Sequence, residues 1–170
     1  MNKHIKIIAV AASWLVIALL LISYKHTIII TGDKVLLETK AVDPRDLLKG
    51  DYVRLNYAIN TVPNETIDGK RLQTGKRYYV LLAKNDGNPF WQVSGVTDKK
   101  PAGGIFLIGR KQWSRMVYGI EEYYVPEGKG LDIERKCGEG LAVEAAVTKS
   151  GLPAISRLFF NNEELKIREK

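Results

Sequence analysis

Cysteine and histidine are nearly missing from this chain, and each scarcity removes a class of chemistry. A single cysteine, Cys137, in 170 residues excludes an internal disulfide. It is expected as a small, half-buried residue. The two histidines, His4 and His26, flank a long apolar run, so neither can enter a zinc site or a catalytic triad inside a folded domain. With no EF-hand pattern either, no metal and no cofactor is expected. Clustered positive charge is also lacking. Basic residues are spread along the chain, with short runs only at Lys99-Lys100 and Arg110-Lys111, which argues against a nucleic-acid partner. No phosphate-cradling glycine loop, internal repeat, low-complexity tract or β-α-β alternation occurs, and Gly103-Gly104 and residues 127–130 read as turns.

What the chain does have is an uncharged N-terminal segment, residues 7–24, bounded by Lys3, His4 and Lys6 on one side and Lys25 and His26 on the other. As a helix rising about 1.5 Å per residue, it nearly crosses a hydrocarbon core of about 30 Å. The exit lacks the small-residue pattern of a cleavage site, and no cysteine follows that could carry a lipid. The segment is therefore expected to be an uncleaved signal-anchor. Lys3 and Lys6 orient the N-terminus toward the cytoplasm. The expected organisation is a cytoplasmic stretch at 1–6, a transmembrane helix at 7–24 and an extracytoplasmic β-rich domain at 25–170. The formal net charge is +7, of which Lys3, Lys6 and Lys25 supply three units, leaving a mild +4 on the outer domain. That excess attracts anionic surfaces only weakly.

Beyond the anchor the pattern becomes strand-like. Residues 28–39, β-branched and broken by Gly32-Asp33, predict a hairpin or a bulged strand. Residues 62–75 read as a loop, 77–84 and 90–96 as a hairpin across an Asn-Asp-Gly turn, and 105–113 and 116–125 as further strands. Residues 131–137 predict a short helix stopped by Gly138. Residues 141–148 and 154–160 predict a last hairpin, followed by a turn and a short terminal segment at 165–167. Together these predict a mainly β protein: a transmembrane helix, then a compact β-barrel or β-sandwich-like domain with one or two short helices.

The densest mixture of residue types lies at 43–59, DPRDLLKGDYVRLNYAI. Asp43 as N-cap, Pro44 in the first turn, Asp46 three residues after the cap, Lys49 at the end and Gly50 as the stop together describe a short capped helix. The strand pattern that follows points Val53, Leu55, Tyr57 and Ile59 to the core and Tyr52, Arg54, Asn56 and Ala58 outward. Asp51, at the corner, lies within plausible reach of Arg45 or Arg54.

Gly50-Asp51-Tyr52, Leu55, Tyr57 and Ile59 spell GDYxxLxYxI in full, and the chain thereby resembles the bacterial GDYXXLXYXI family of membrane-anchored proteins. Asp43 to Asp46 and the stretch from Tyr118 to Gly130 resemble it too. The likeness covers most of the chain and implies a bilayer-anchored protein. Members of that family are often encoded beside polytopic membrane proteins, which implies such a partner.

Three functions compete on these residues. The first is a non-catalytic accessory or scaffold protein docking on a membrane or envelope partner through Asp51, Tyr52, Arg54, Asn56, Glu121 and Glu127. Surface aromatics among Tyr52, Tyr78, Tyr79, Trp91, Trp113, Tyr118, Tyr123 and Tyr124 would anchor such an interface, or else fill the core. The second is an envelope hydrolase using carboxylates among Asp43, Asp46, Asp51, Glu121, Glu122 and Glu127. The third is a small-ligand sensor at a barrel mouth. A Ser-Lys peptidase similar to the signal peptidases is not supported, because residues 25–59 contain no serine and Thr27, Thr31 and Thr39 lack the expected context. The accessory role is the expected one.

Overall fold

The computed structural model describes residues 3–41, 52–63, 66–67, 69–126 and 130–165. Helix α1, Lys3–Thr31, opens the chain. It contains neither glycine nor proline, and it is long and apolar enough to cross a membrane. It extends past the expected end at residue 24 and takes in residues predicted as strand. The β-branched run after His26 stays helical because Ile28 buries itself against Ala146 and Ala154. Within it, Thr27 and Thr31 turn their hydroxyls back onto the carbonyls of Ser23 and Thr27, at 2.9 and 2.8 Å, which satisfies the hydroxyls without adding helix stability. At the bend that follows, the Gly32 amide makes the last helical bond, to the Ile28 carbonyl at 2.9 Å. No side chain fits there: a Cβ on Gly32 would stand 2.7 Å from the Ile28 carbonyl oxygen and 2.9 Å from the Val147 nitrogen.

Strand β1 follows at Asp33–Lys40, then β2 at Tyr52–Arg54, β3 at Asn56–Tyr57 and a 3-10 turn at Ala58–Asn60. The region read as a loop carries a small ribbon, β4 Thr66–Ile67 with β5 Lys70–Arg71. β6 (Arg77–Lys84) and β7 (Trp91–Thr97) form the expected hairpin, and β8 (Ile105–Gln112) turns tightly into β9 (Arg115–Val117). The strand expected at 116–125 is two strands, β9 and β10 (Glu122–Tyr124), separated by a turn in which Gly119 adopts φ +84°. Helix α2 is Gly130–Lys136. The expected final hairpin is β11 (Leu141–Val147) with β12 (Pro153–Phe160). A two-residue turn at Asn161 and Asn162, both left-handed, adds β13, Glu163–Glu164.

The protein is mainly β. Its strands form a five-stranded sheet ordered β13-β12-β11-β1-β3, a four-stranded sheet ordered β7-β6-β8-β9, and the ribbons β2-β10 and β4-β5. Inward residues of the two larger sheets share one core, including Val35, Leu37, Val80, Leu107, Met116 and Val143. The sheets meet through backbone contacts: the Ile108 amide donates to the Gly151 carbonyl at 2.8 Å. Chain segment 52–60 ties the β2-β10 ribbon to the five-stranded sheet, because β2 pairs with β10 whereas β3 pairs with β1, and Asn60 at its end bonds the Met116 carbonyl of β9 in the four-stranded sheet. Cys137 is fully rather than half buried, and burial pushes its thiol up to about 11.

Candidate functional site

Val53, Leu55, Tyr57 and Ile59 all lie in the core. Their burial is not that of one continuous strand, since the chain changes sheets at Leu55, whose amide donates to the Glu121 carbonyl at 2.8 Å. The motif is one half of a clamp. The Tyr57 hydroxyl donates to the Ile120 carbonyl, and the Tyr118 hydroxyl donates to the Ile59 carbonyl, both at 2.6 Å. Asn60 adds to the bond between the halves: its amide donates to the Met116 carbonyl at 2.7 Å and to Glu121 Oε1 at 3.2 Å.

Glu121 departs from the expectation of an open docking residue. It is 8% exposed. Its Oε1 also accepts the Tyr118 amide at 2.7 Å, and its Oε2 accepts the amides of Gly119 and Ile120 at 2.8 and 3.1 Å. Four N–H donors occupy the roughly four acceptor positions of a carboxylate. The charge is thus committed to holding the turn closed, and Glu121 has no lone pair left for a general base or a cation. Burial first, and the Glu121 charge second, push the phenols of Tyr57 and Tyr118 well above the ordinary tyrosine range.

Above this clamp the two halves diverge and leave a cleft of ≈ 480 Å³. One wall is Arg54, Leu55 and Asn56, and the other is Gln112, Arg115 and Val117. Gly119, Glu121 and Glu122 line it as well. The structure therefore brings Arg54, Asn56 and Glu121 of the expected docking set into one concavity. Asp43, Pro44, Asp46, Gly50, Asp51 and Glu127, and the side chain of Tyr52, lie outside the described residues. Gln112, Arg115 and Glu122 join the site without having been singled out as docking residues. Of the aromatics, Tyr78 and Tyr118 are buried, Tyr79, Trp91 and Tyr123 are partly buried, and Trp113 and Tyr124 are exposed. Among the described residues no three His, Cys, Asp or Glu side chains converge as a metal site would need.

A second charged cluster lies on the outer face of the five-stranded sheet. Arg157 grips Glu144 with two bonds, Nε to Oε1 at 3.1 Å and Nη2 to Oε2 at 2.9 Å. Lys34 lies 3.9 Å from the same carboxylate and also reaches the Ile29 carbonyl at the end of α1. Burial alone would raise the Glu144 carboxyl. The bonds and charge of Arg157, with help from Ser156 and Lys34, outweigh it and hold the group below the usual carboxylate range. This cluster reads as the brace of the helix-to-sheet joint.

The family model described as GDYXXLXY protein matches residues 14–158. No curated protein and no solved structure matches the chain.

Proposed function

The chain belongs to the GDYXXLXY family, and from that premise we propose a membrane-anchored accessory or scaffold protein that docks its outer domain on a membrane or envelope partner. The observation that carries this reading is the joint between α1 and the domain. The helix enters the fold without a linker, with Ile28 seated on Ala146 and Ala154 and Lys34 bonded back to the Ile29 carbonyl. From His26 to Gly32 is about 9 Å of helix. A domain mounted so close to the headgroups keeps one orientation to the bilayer, which suits a subunit that presents a fixed face and would serve a freely diffusing catalyst little. Lys3 and Lys6 favour a cytoplasmic N-terminus and an extracytoplasmic domain. Helix α1 would then meet a polytopic partner within the bilayer, and the cleft rim, with Arg54, Asn56 and Glu122, would face the envelope side. The carboxylate-hydrolase alternative is weakened because Glu121, one of its acids, is fully hydrogen-bonded.

Two measurements test it. Cysteines introduced at Asp86 and at Lys3 are labelled with an impermeant maleimide in intact cells; labelling at Lys3 rather than Asp86 would reverse the orientation. Photo-reactive residues placed along α1 and on the cleft rim are then irradiated in native membranes. Adducts are expected from these positions and not from Asp86. Equal yields at all of them would remove the docking reading.

A further inference from the structure

We propose that the cleft between the 54–56 segment and β9 is a saccharide-binding site, taking a short stretch of an uncharged glycan chain. This deepens the docking reading and rests on it, by assigning the chemical class of the envelope partner.

The first observation is the set of unused polar groups. Asn56, Gln112, Arg115 and Glu122 all line the cleft, and their side chains make no hydrogen bond or ion pair with the described residues. Two amides, a guanidinium and a carboxylate supply donors and acceptors on planar groups. Such groups bind vicinal hydroxyls through paired bonds. The lining charges, positive on Arg54 and Arg115 and negative on Glu121 and Glu122, cancel, so the site favours a neutral polyhydroxyl ligand over an anion. A volume of ≈ 480 Å³ is ample for a short chain of sugar units.

The second observation is Trp113. It sits between the lining residues Gln112 and Arg115, at the tip of the β8–β9 turn, 87% exposed and with φ +47°. A bulky residue in the left-handed region is a conformational outlier, and this position of a tight hairpin turn favours glycine. An indole held in water at a strained position gives nothing to the core. It offers a flat apolar platform, the kind of surface on which the C–H face of a sugar ring stacks.

The third observation separates a glycan from an added peptide strand. The Lys111 amide donates to the Lys76 carbonyl, and the Lys111 carbonyl accepts the Gly75 amide, so Lys111 turns its backbone toward β6. Its partner Met116 therefore turns its own backbone groups outward from β9. Asn60 already occupies the Met116 carbonyl. The edge is left with one outward amide, too little to template a strand. Recognition here must come from side chains.

The test uses the full chain in nanodiscs. Chitotetraose and cellotetraose are titrated while tryptophan fluorescence and heat are recorded, with an acidic peptide as the competing class. Saturable binding of at least one sugar is expected, at micromolar to millimolar strength. Trp113→Gly, which suits the turn, and Gln112→Ala should each weaken it about tenfold or more. Asp86→Ala, in the distant β6–β7 turn, should leave it unchanged. No response to either sugar, undiminished binding in both variants, or binding of the peptide alone would each overturn the proposal. None of these outcomes alters the orientation or cross-linking results on α1, so the two readings fail separately.

Discussion

Tyr57 and Ile120, 63 positions apart, are joined by a 2.6 Å hydrogen bond from the tyrosine hydroxyl to the isoleucine carbonyl. Tyr118 returns the same kind of bond to Ile59. The result is a reciprocal latch that fastens the motif segment to the turn before β10 and forms the base of the cleft. Tyr57→Phe removes one donor and strands a buried carbonyl, a loss of about 1–3 kcal/mol. Thermal unfolding of the domain should fall by several degrees. Because both bonds hold the same two segments, Tyr57→Phe with Tyr118→Phe should be non-additive in a double-mutant cycle. Strict additivity would show that the latch does not act as a unit.

Glu121 is expected to be the most sensitive carboxylate of the described turn. In Glu121→Gln one oxygen becomes an NH2 group facing backbone donors, so two of the four accepted bonds are lost and replaced by clashes between donors. A cost of about 2–4 kcal/mol is expected, against nearly none for the exposed Glu122→Gln. Equal midpoints in urea for the two variants would refute the role given to Glu121.

Stability should also depend on pH at both ends. The folded state raises the phenols of Tyr57 and Tyr118. Their contribution is complete below the ordinary tyrosine value of about 10 and is lost as pH rises beyond it. Cys137 adds a loss between its ordinary 9.0 and about 11. Glu144 runs the other way: its lowered folded value gives stability that is present above the ordinary glutamate range and is lost as pH falls through the folded value. Glu144→Gln should flatten the acid limb of a midpoint-versus-pH curve and leave the alkaline limb alone. An unchanged acid limb would count against the brace.

Gly32→Ala tests the joint. The added methyl would meet backbone of both α1 and β11 at under 3 Å, and backbone cannot rotate aside as a side chain can. A loss of about 1–3 kcal/mol is expected. Faster proteolysis between α1 and β1 should accompany it; a variant as resistant as the parent would show that the helix does not need this close approach.

Trp113→Gly should raise stability by about 0.5–1 kcal/mol, since glycine adopts the left-handed turn position without strain. Stability gained with glycan binding lost is the signature of a residue kept for function. A melting point that drops would place Trp113 in the fold's own support instead.

The helix-forming apolar run, the mainly β domain, most hairpin positions and the burial of Val53, Leu55, Tyr57 and Ile59 were all determined by the sequence alone. Each follows from periodicity or turn chemistry, which act over a few neighbouring residues. The tertiary structure decided the rest. The β-branched residues 28–31 favour a strand locally, yet remain in α1 because Ala146 and Ala154, far along the chain, give Ile28 a place to bury. Residues 116–125 alternate like one strand, yet break because Glu121 gathers three successive amides and the Asn60 side chain. Glu121 and Glu122 are neighbours of the same type; burial commits one to the fold and leaves the other open in the cleft. That division depends on where segment 52–60 crosses between sheets, a long-range contact that no local pattern encodes.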